Sequence, residues 1–151
     1  MSKDEAMNVV NNMLSEHQTT MLVTHDKQGG LVSRPMTTQD PKKDGTIWFF
    51  VSSDGDVIDE VKANSQVNIA YAKEGNYVSV SGMASIVNDT EKKKELWYAE
   101  LAKWFEGQSP ESPDVVLIKV TADTARYWGE NSGGSDKGKR DQAGGSGRID
   151  Y

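Results

Sequence analysis

The chain has 151 residues, 36% of them hydrophobic, with 23 acidic against 17 basic side chains, a net charge of −6 and no cysteine. One domain of ordinary size accounts for that length. The acidic balance argues against a nucleic-acid binder, which needs clustered Lys and Arg to displace counterions from phosphates, and the lack of cysteine excludes disulfides, thiol catalysis, iron–sulfur clusters and cysteine-based zinc sites.

The N-terminal MSKDEAMNVVNNML lacks the basic start and unbroken apolar run of a secretory signal. No stretch reaches the ~18 apolar residues of a membrane span. Both readings point to a cytoplasmic protein that does not enter membranes.

Ser2 followed by Glu5 has the form of a capping box, and Val10, Met13, Leu14 and His17 recur at helical spacing, so an amphipathic helix is expected there. Met21 to His25 and Leu31 to Thr38 are extended runs separated by Asp26-Lys27-Gln28-Gly29-Gly30, the signature of a hairpin. Thr46 to Val51 is continuously apolar and reads as a strand covered on both faces, by a barrel interior and by a dimer partner. Val57, Ile58 and Val61 mark a short helix leading to a strand over Gln66–Ala72.

Tyr77 to Val87 alternates, with Val78, Val80, Ala84 and Ile86 on one face and Tyr77, Ser79, Ser81 and Met83 on the other. From Thr90 to Glu106 the period becomes helical, with Trp97, Leu101, Trp104 and Phe105 on one apolar stripe, the lysines elsewhere, and Asn88 or Asp89 as the cap. Val115 to Val120 is a further apolar strand, with Ala125–Trp128 beyond a break near Asp123. About six mainly antiparallel strands with little helix define a mainly β fold, a closed or partly closed barrel.

From Gly129 the composition changes: half of the 14 glycines fall in the last 23 residues, and Glu130, Asp136, Asp141 and Asp150 balance Lys137, Lys139, Arg140 and Arg148. Such a segment buries too little to offset its ordering entropy. The expected organisation is a folded domain over 1–129 and a disordered Gly/Ser-rich tail over 130–151.

Candidate chemistry centres on Ser33-Arg34-Pro35-Met36-Thr37-Thr38. Arg34 shares a strand face with Val32 and Met36, where a guanidinium needs a partner; a phosphate matches its planar fork, and a salt bridge is the plainer alternative. Pro35 removes one ladder donor and so belongs on an edge or bulged strand. His17 lies on an apolar stripe and His25 ends a strand, two lone histidines that read as structural, so no metal is expected. Lys27-Gln28-Gly29-Gly30-Leu31 lacks the context of a phosphate loop, and no Ser-His-Asp set is recognisable.

SRPMTTQ, IWFFVSSDG, YVSVSGMA, a Trp-rich helix and ARYWGE follow in order. Over about Asp4 to Glu130 the chain resembles the bacterial general stress protein branch of the pyridoxamine-phosphate-oxidase-like family. The resemblance implies a six-stranded antiparallel split β-barrel with short flanking helices that dimerises and binds FMN in two clefts at the subunit interface. It places Arg34, Pro35, Met36 and Thr37 along the flavin, with Arg34 near its phosphate or ring edge. It adds Phe50, Val51, Ser52 and Ser53 as a second wall, and Trp128 as the aromatic residue that closes the cleft from the other subunit. One departure concerns the phosphate: many relatives carry a lysine where this chain has Val57, and here Asp54 and Asp56 flank the position.

The implied activity is an FMN-dependent oxidoreductase with NAD(P)H as electron donor, on a substrate and with catalytic residues the sequence does not identify. Two alternatives stand beside it: a non-enzymatic protein that holds or sequesters flavin, and a barrel that has lost FMN and binds a deazaflavin, haem or nothing.

Overall fold

Helix α1 (Lys3–Met13) starts at Ser2, whose Oγ accepts from the Glu5 amide at 3.1 Å, one half of the expected capping box. A computed structural model describes residues 2–15, 17–39, 44–129 and 145–151. Strands β1 (Thr19–His25) and β2 (Leu31–Thr37) form the expected hairpin, followed by β3 (Thr46–Ser52) and helix α2 (Asp56–Ala63). Then come β4 (Gln66–Lys73), β5 (Asn76–Val87), helices α3 (Thr90–Leu96) and α4 (Leu101–Trp104), β6 (Val115–Gly129) and β7 (Gly145–Asp150).

All strand pairs are antiparallel, and the order is β2-β1-β4-β5-β6-β3, with β7 beside the second half of β6. The fold is thus mainly β, as expected, with a seventh strand. Leu22, Phe49, Ile69, Val80 and Ile118 from the sheet meet Val10 of α1, Leu14 just after it, and Ile58 and Val61 of α2 in the main core.

The unbroken apolar run of β3 has a different cover from the one expected. Ile47, Phe49 and Val51 face the main core, while Trp48 and Phe50 face a second cluster with Leu96, Leu101 and Phe105. The chain's own helices cover the outer face, with no dimer partner needed.

Three further expectations are corrected. The helix over 90–106 is two helices, because Trp97 takes an extended conformation (φ −67°, ψ 138°) that lets its ring meet Phe50 edge-on at 5.5 Å. The break changes the helical phase, so Trp104 leaves the apolar stripe and is 78% exposed. His17 also lies off its stripe: α1 ends at Met13, and His17 sits in the left-handed region (φ 65°), its ring stacked on Tyr98 at 3.9 Å.

The break near Asp123 is a β-bulge inside one long strand. Ser81 pairs with Thr124 and Gly82 with Ala122, which leaves Asp123 as the extra residue. Gly82 permits this because a Cβ there would lie 2.3 Å from the Thr121 carbonyl oxygen.

The disordered tail expected over 130–151 is overturned at its end. Gly145–Asp150 pairs in register with Thr124–Gly129, Ile149 is 2% exposed in the main core, and the Tyr151 amide donates to the Asp123 carbonyl at 3.0 Å. A Cβ at Gly147 would lie 2.3 Å from the Tyr127 ring, so the glycine that suggested disorder is what lets the strands approach. Residues 130–144 of that tail lie outside the described residues. No helix among the described residues is long and apolar enough to cross a membrane.

Candidate functional site

The two ends of the six-strand path, β2 and β3, each have one neighbour in the sheet. Just beyond β2 they meet at a single bridge, where the Gln39 amide donates to the Trp48 carbonyl at 2.8 Å and the Trp48 amide to the Gln39 carbonyl at 3.3 Å. Thr38 anchors this corner: it is buried and its Oγ1 accepts from the Gln18 amide at 3.2 Å. Away from the bridge the strands part, and the split exposes two strand edges whose backbone donors and acceptors require partners.

A cleft of about 220 Å³ lies there, lined by Pro35, Met36, Thr37 and Phe50 from the two strands and by Tyr98, Leu101, Trp104 and Phe105 from the α3–α4 region, with Thr19 and Gln39. Its walls are largely aromatic and apolar, and no lining side chain among the described residues carries a formal charge. Trp104, 78% exposed on a four-residue helix, stands at this cleft with its apolar area in solvent.

A second groove of about 860 Å³ runs over β1, β4 and β5, lined by His17, Met21, Tyr71, Lys73, Tyr77, Ser79 and Trp128 among others. It shares Thr19 with the cleft. The Tyr71 hydroxyl is pushed above its usual pKa, first by burial and then by the charge of Glu74.

The residues singled out from the sequence fall into different surroundings. Pro35, Met36, Thr37 and Phe50 come together in the cleft. Val51 points into the main core. Arg34 stands opposite Leu22, which is fully buried, and so faces the core side of β2. Its Nη1 donates to Thr24 Oγ1 at 2.9 Å and its Nη2 to Glu60 Oε1 at 2.5 Å, the salt-bridged alternative.

Ser52 and Ser53 are exposed at the end of β3, where Ser53 is tied to Asp114 through its amide at 2.8 Å and its hydroxyl at 3.5 Å. Trp128 pairs with Tyr77 and Ser146 and lines the larger groove, outside the cleft of its own chain.

Trp104 and Phe105 escaped the sequence reading because they were assigned to a core stripe, and Tyr98 was not singled out. Their signal was local: Trp104 and Phe105 are consecutive, and neighbours about 100° apart on a helix do not share one narrow face. Glu60 was also missed, since three apolar neighbours on α2 drew attention to packing.

Antiparallel strands curled until their free edges meet at one bridge, with helices on the flanks, form a split β-barrel. The chain belongs to the pyridoxamine 5'-phosphate oxidase like family, whose model matches residues 5–138. Protein bli-3 of Neurospora crassa is 29% identical over 135 residues, which span 82% of this chain and 65% of that protein. Among solved structures, the general stress FMN/FAD binding protein of Xanthomonas citri is 29% identical with a TM-score of 0.69, over 84% of this chain and 89% of that one. General Stress Protein 26 of Bacillus anthracis shares the fold, with a TM-score of 0.68 at 24% identity over 83% of this chain and 92% of that one.

The residues present fit the two ends of a flavin mononucleotide unequally. The ring end fits, since a flat aromatic system wants apolar walls and its polar edge wants backbone groups such as those of the split. The phosphate end does not: Arg34 is ion-paired, Val57 is buried in the core, and Asp54, Asp56 and Asp59 are exposed nearby in sequence.

Proposed function

We propose that the protein is a flavin-binding protein, with the ring in the split between β2 and β3, and that it works as an oxidoreductase. The observation that carries this reading is the uncharged aromatic cleft between two open strand edges, with Trp104 exposed beside it. FMN is the form the family resemblance implies, and the Xanthomonas citri relative is named for binding FMN or FAD. A bound flavin supplies the redox chemistry, while the protein supplies position, dry walls and hydrogen bonds.

NAD(P)H is the proposed electron donor and the cytoplasm the proposed setting. The proposed assembly is a homodimer that joins the outer face of β4 and β5, on which Tyr77 and Met83 are 40% and 47% exposed. A non-enzymatic flavin holder is the second reading, favoured because the cleft is lined by no His, Asp, Glu or Lys among the described residues.

Titration of the purified protein with FMN, followed by the flavin absorption bands, tests the site. The expected result is a saturable perturbation, weakened about tenfold in Trp104→Ala for loss of one stacking wall. The melting temperature should be unchanged, because an exposed side chain contributes little to stability. Flat bands at high flavin would remove the cofactor and the proposed enzyme with it. Bleaching of bound flavin by NADH or NADPH separates the oxidoreductase from the holder.

A further inference from the structure

Arg34 is the cation of β2, the strand that forms one edge of the split, and its charge is already matched. Nη1 donates to Thr24 Oγ1 and Nη2 to Glu60 Oε1, and Thr24 Oγ1 donates to the same Glu60 oxygen at 2.7 Å, closing a ring of three hydrogen bonds. The ring is sheltered: the Arg34 and Glu60 side chains are 21% and 11% exposed, and Thr24 is fully buried. It spans from β2, whose next residues Pro35, Met36 and Thr37 line the cleft, across Thr24 of β1 to α2, the helix that follows β3.

A close ion pair acts on a third charge as a neutral dipole, and its field falls steeply with distance. A phosphate that reached Arg34 from the cleft would therefore meet no net positive charge there. The other charges of the segment are unfavourable to it: Asp54, Asp56 and Asp59 are exposed, and the one cation of α2, Lys62, lies in the last turn. Taking Arg34 from Glu60 would leave a sheltered carboxylate without its partner, which is costly. Lys73 and His17 belong to the other groove.

We infer that Glu60 sets the ligand class of the cleft: by neutralising Arg34 it makes the site select the flavin ring and ignore the phosphate, so riboflavin and FMN bind alike. The inference rests on the flavin reading above. Ring burial is the same for both ligands, and the phosphate stays in water, where its hydration is kept.

The test is a fluorescence titration of the full chain with riboflavin and with FMN, for wild type, Glu60→Gln and the double variant Glu60→Gln/Arg34→Met. In wild type the two dissociation constants should agree within about threefold. Glu60→Gln keeps the shape and hydrogen bonds of the ring but removes its negative charge. It should tighten FMN about tenfold, as one charge-assisted hydrogen bond does, and leave riboflavin unchanged. The double variant should lose that gain.

FMN binding at least tenfold tighter than riboflavin in wild type would overturn the inference and leave the flavin reading standing. So would equal affinities in Glu60→Gln, with folding verified by circular dichroism. Binding of neither flavin would overturn the flavin reading and this inference together. Should Glu60→Gln fail to fold, the wild-type ratio alone still decides against the inference if it exceeds tenfold and supports it if it stays near one.

Discussion

Lys93 is 1% exposed, and its Nζ donates to Asn88 Oδ1 at 2.7 Å, to the Ser112 carbonyl at 3.1 Å and to the Val115 carbonyl at 2.8 Å. Three donors meet three acceptors, the full capacity of an ammonium. The sequence pattern put this lysine among the solvated residues of the helix; instead it fastens α3 to the loop entering β6. Lys93→Met should cost about 2–4 kcal/mol, because three sheltered acceptors lose their donor at once. The midpoint of urea unfolding measures this, and a change under 0.5 kcal/mol would refute the clamp.

Caps were legible at the same scale because they are local: Asp89 Oδ1 accepts from the Glu91 amide at 3.0 Å and from the Lys92 amide at 3.5 Å. The partner of Arg34 was not legible, since Glu60 lies 26 residues away on another element.

Among the elements, β7 differs most from its sequence. Its one apolar residue, Ile149, and the following Tyr151 alternate with Arg148 and Asp150 over too few positions to outweigh the glycines around them. Once paired with β6, Ile149 enters the core beside α1 and earns its place in the fold by apolar burial. Ile149→Ala should lower stability by about 2–4 kcal/mol. Denaturant unfolding reads the loss, and hydrogen exchange of the β7 amides should speed up in the variant.

Tyr151 adds a pH dependence. Burial pushes its hydroxyl above the ordinary pKa of 10.0. The folded state therefore holds this proton more tightly than the unfolded chain, so the tyrosine's contribution is present below pH ~10 and is lost as pH rises through the raised value. Thermal melts at increasing alkaline pH should show stability falling in that window, with a shallower fall in Tyr151→Phe. An identical fall in both proteins would place the titration elsewhere, Tyr71 being the next candidate.

At the scale of the molecule, one sheet face has no covering layer among the described residues. Helices α1 and α2 reach β1, β5 and β7, and the α3–α4 region covers the outer face of β3 and β6. The other face of β4 and β5 presents Met83 and, along the larger groove, Ala70, Tyr77 and Ser79, partly apolar, the kind of surface that two copies can share. Light scattering should give twice the chain mass, and Met83→Arg should shift the protein toward the monomer by placing a charge in that contact. A wild-type monomer at micromolar concentration would contradict the proposed assembly.

The sequence by itself determined the family and most secondary elements from α1 to β6, the single helix over 90–106 and the break near Asp123 excepted, and it put Pro35, Met36, Thr37 and Phe50 on strands. Periods of two and 3.6 residues, caps and turn glycines are properties of neighbours along the chain. Tertiary structure decided the ion pair of Arg34, the exposure of Trp104, the burial of Lys93 and the docking of β7. Each of these depends on what a distant element places against it, and burial and charge compensation act through space, where sequence separation carries no weight.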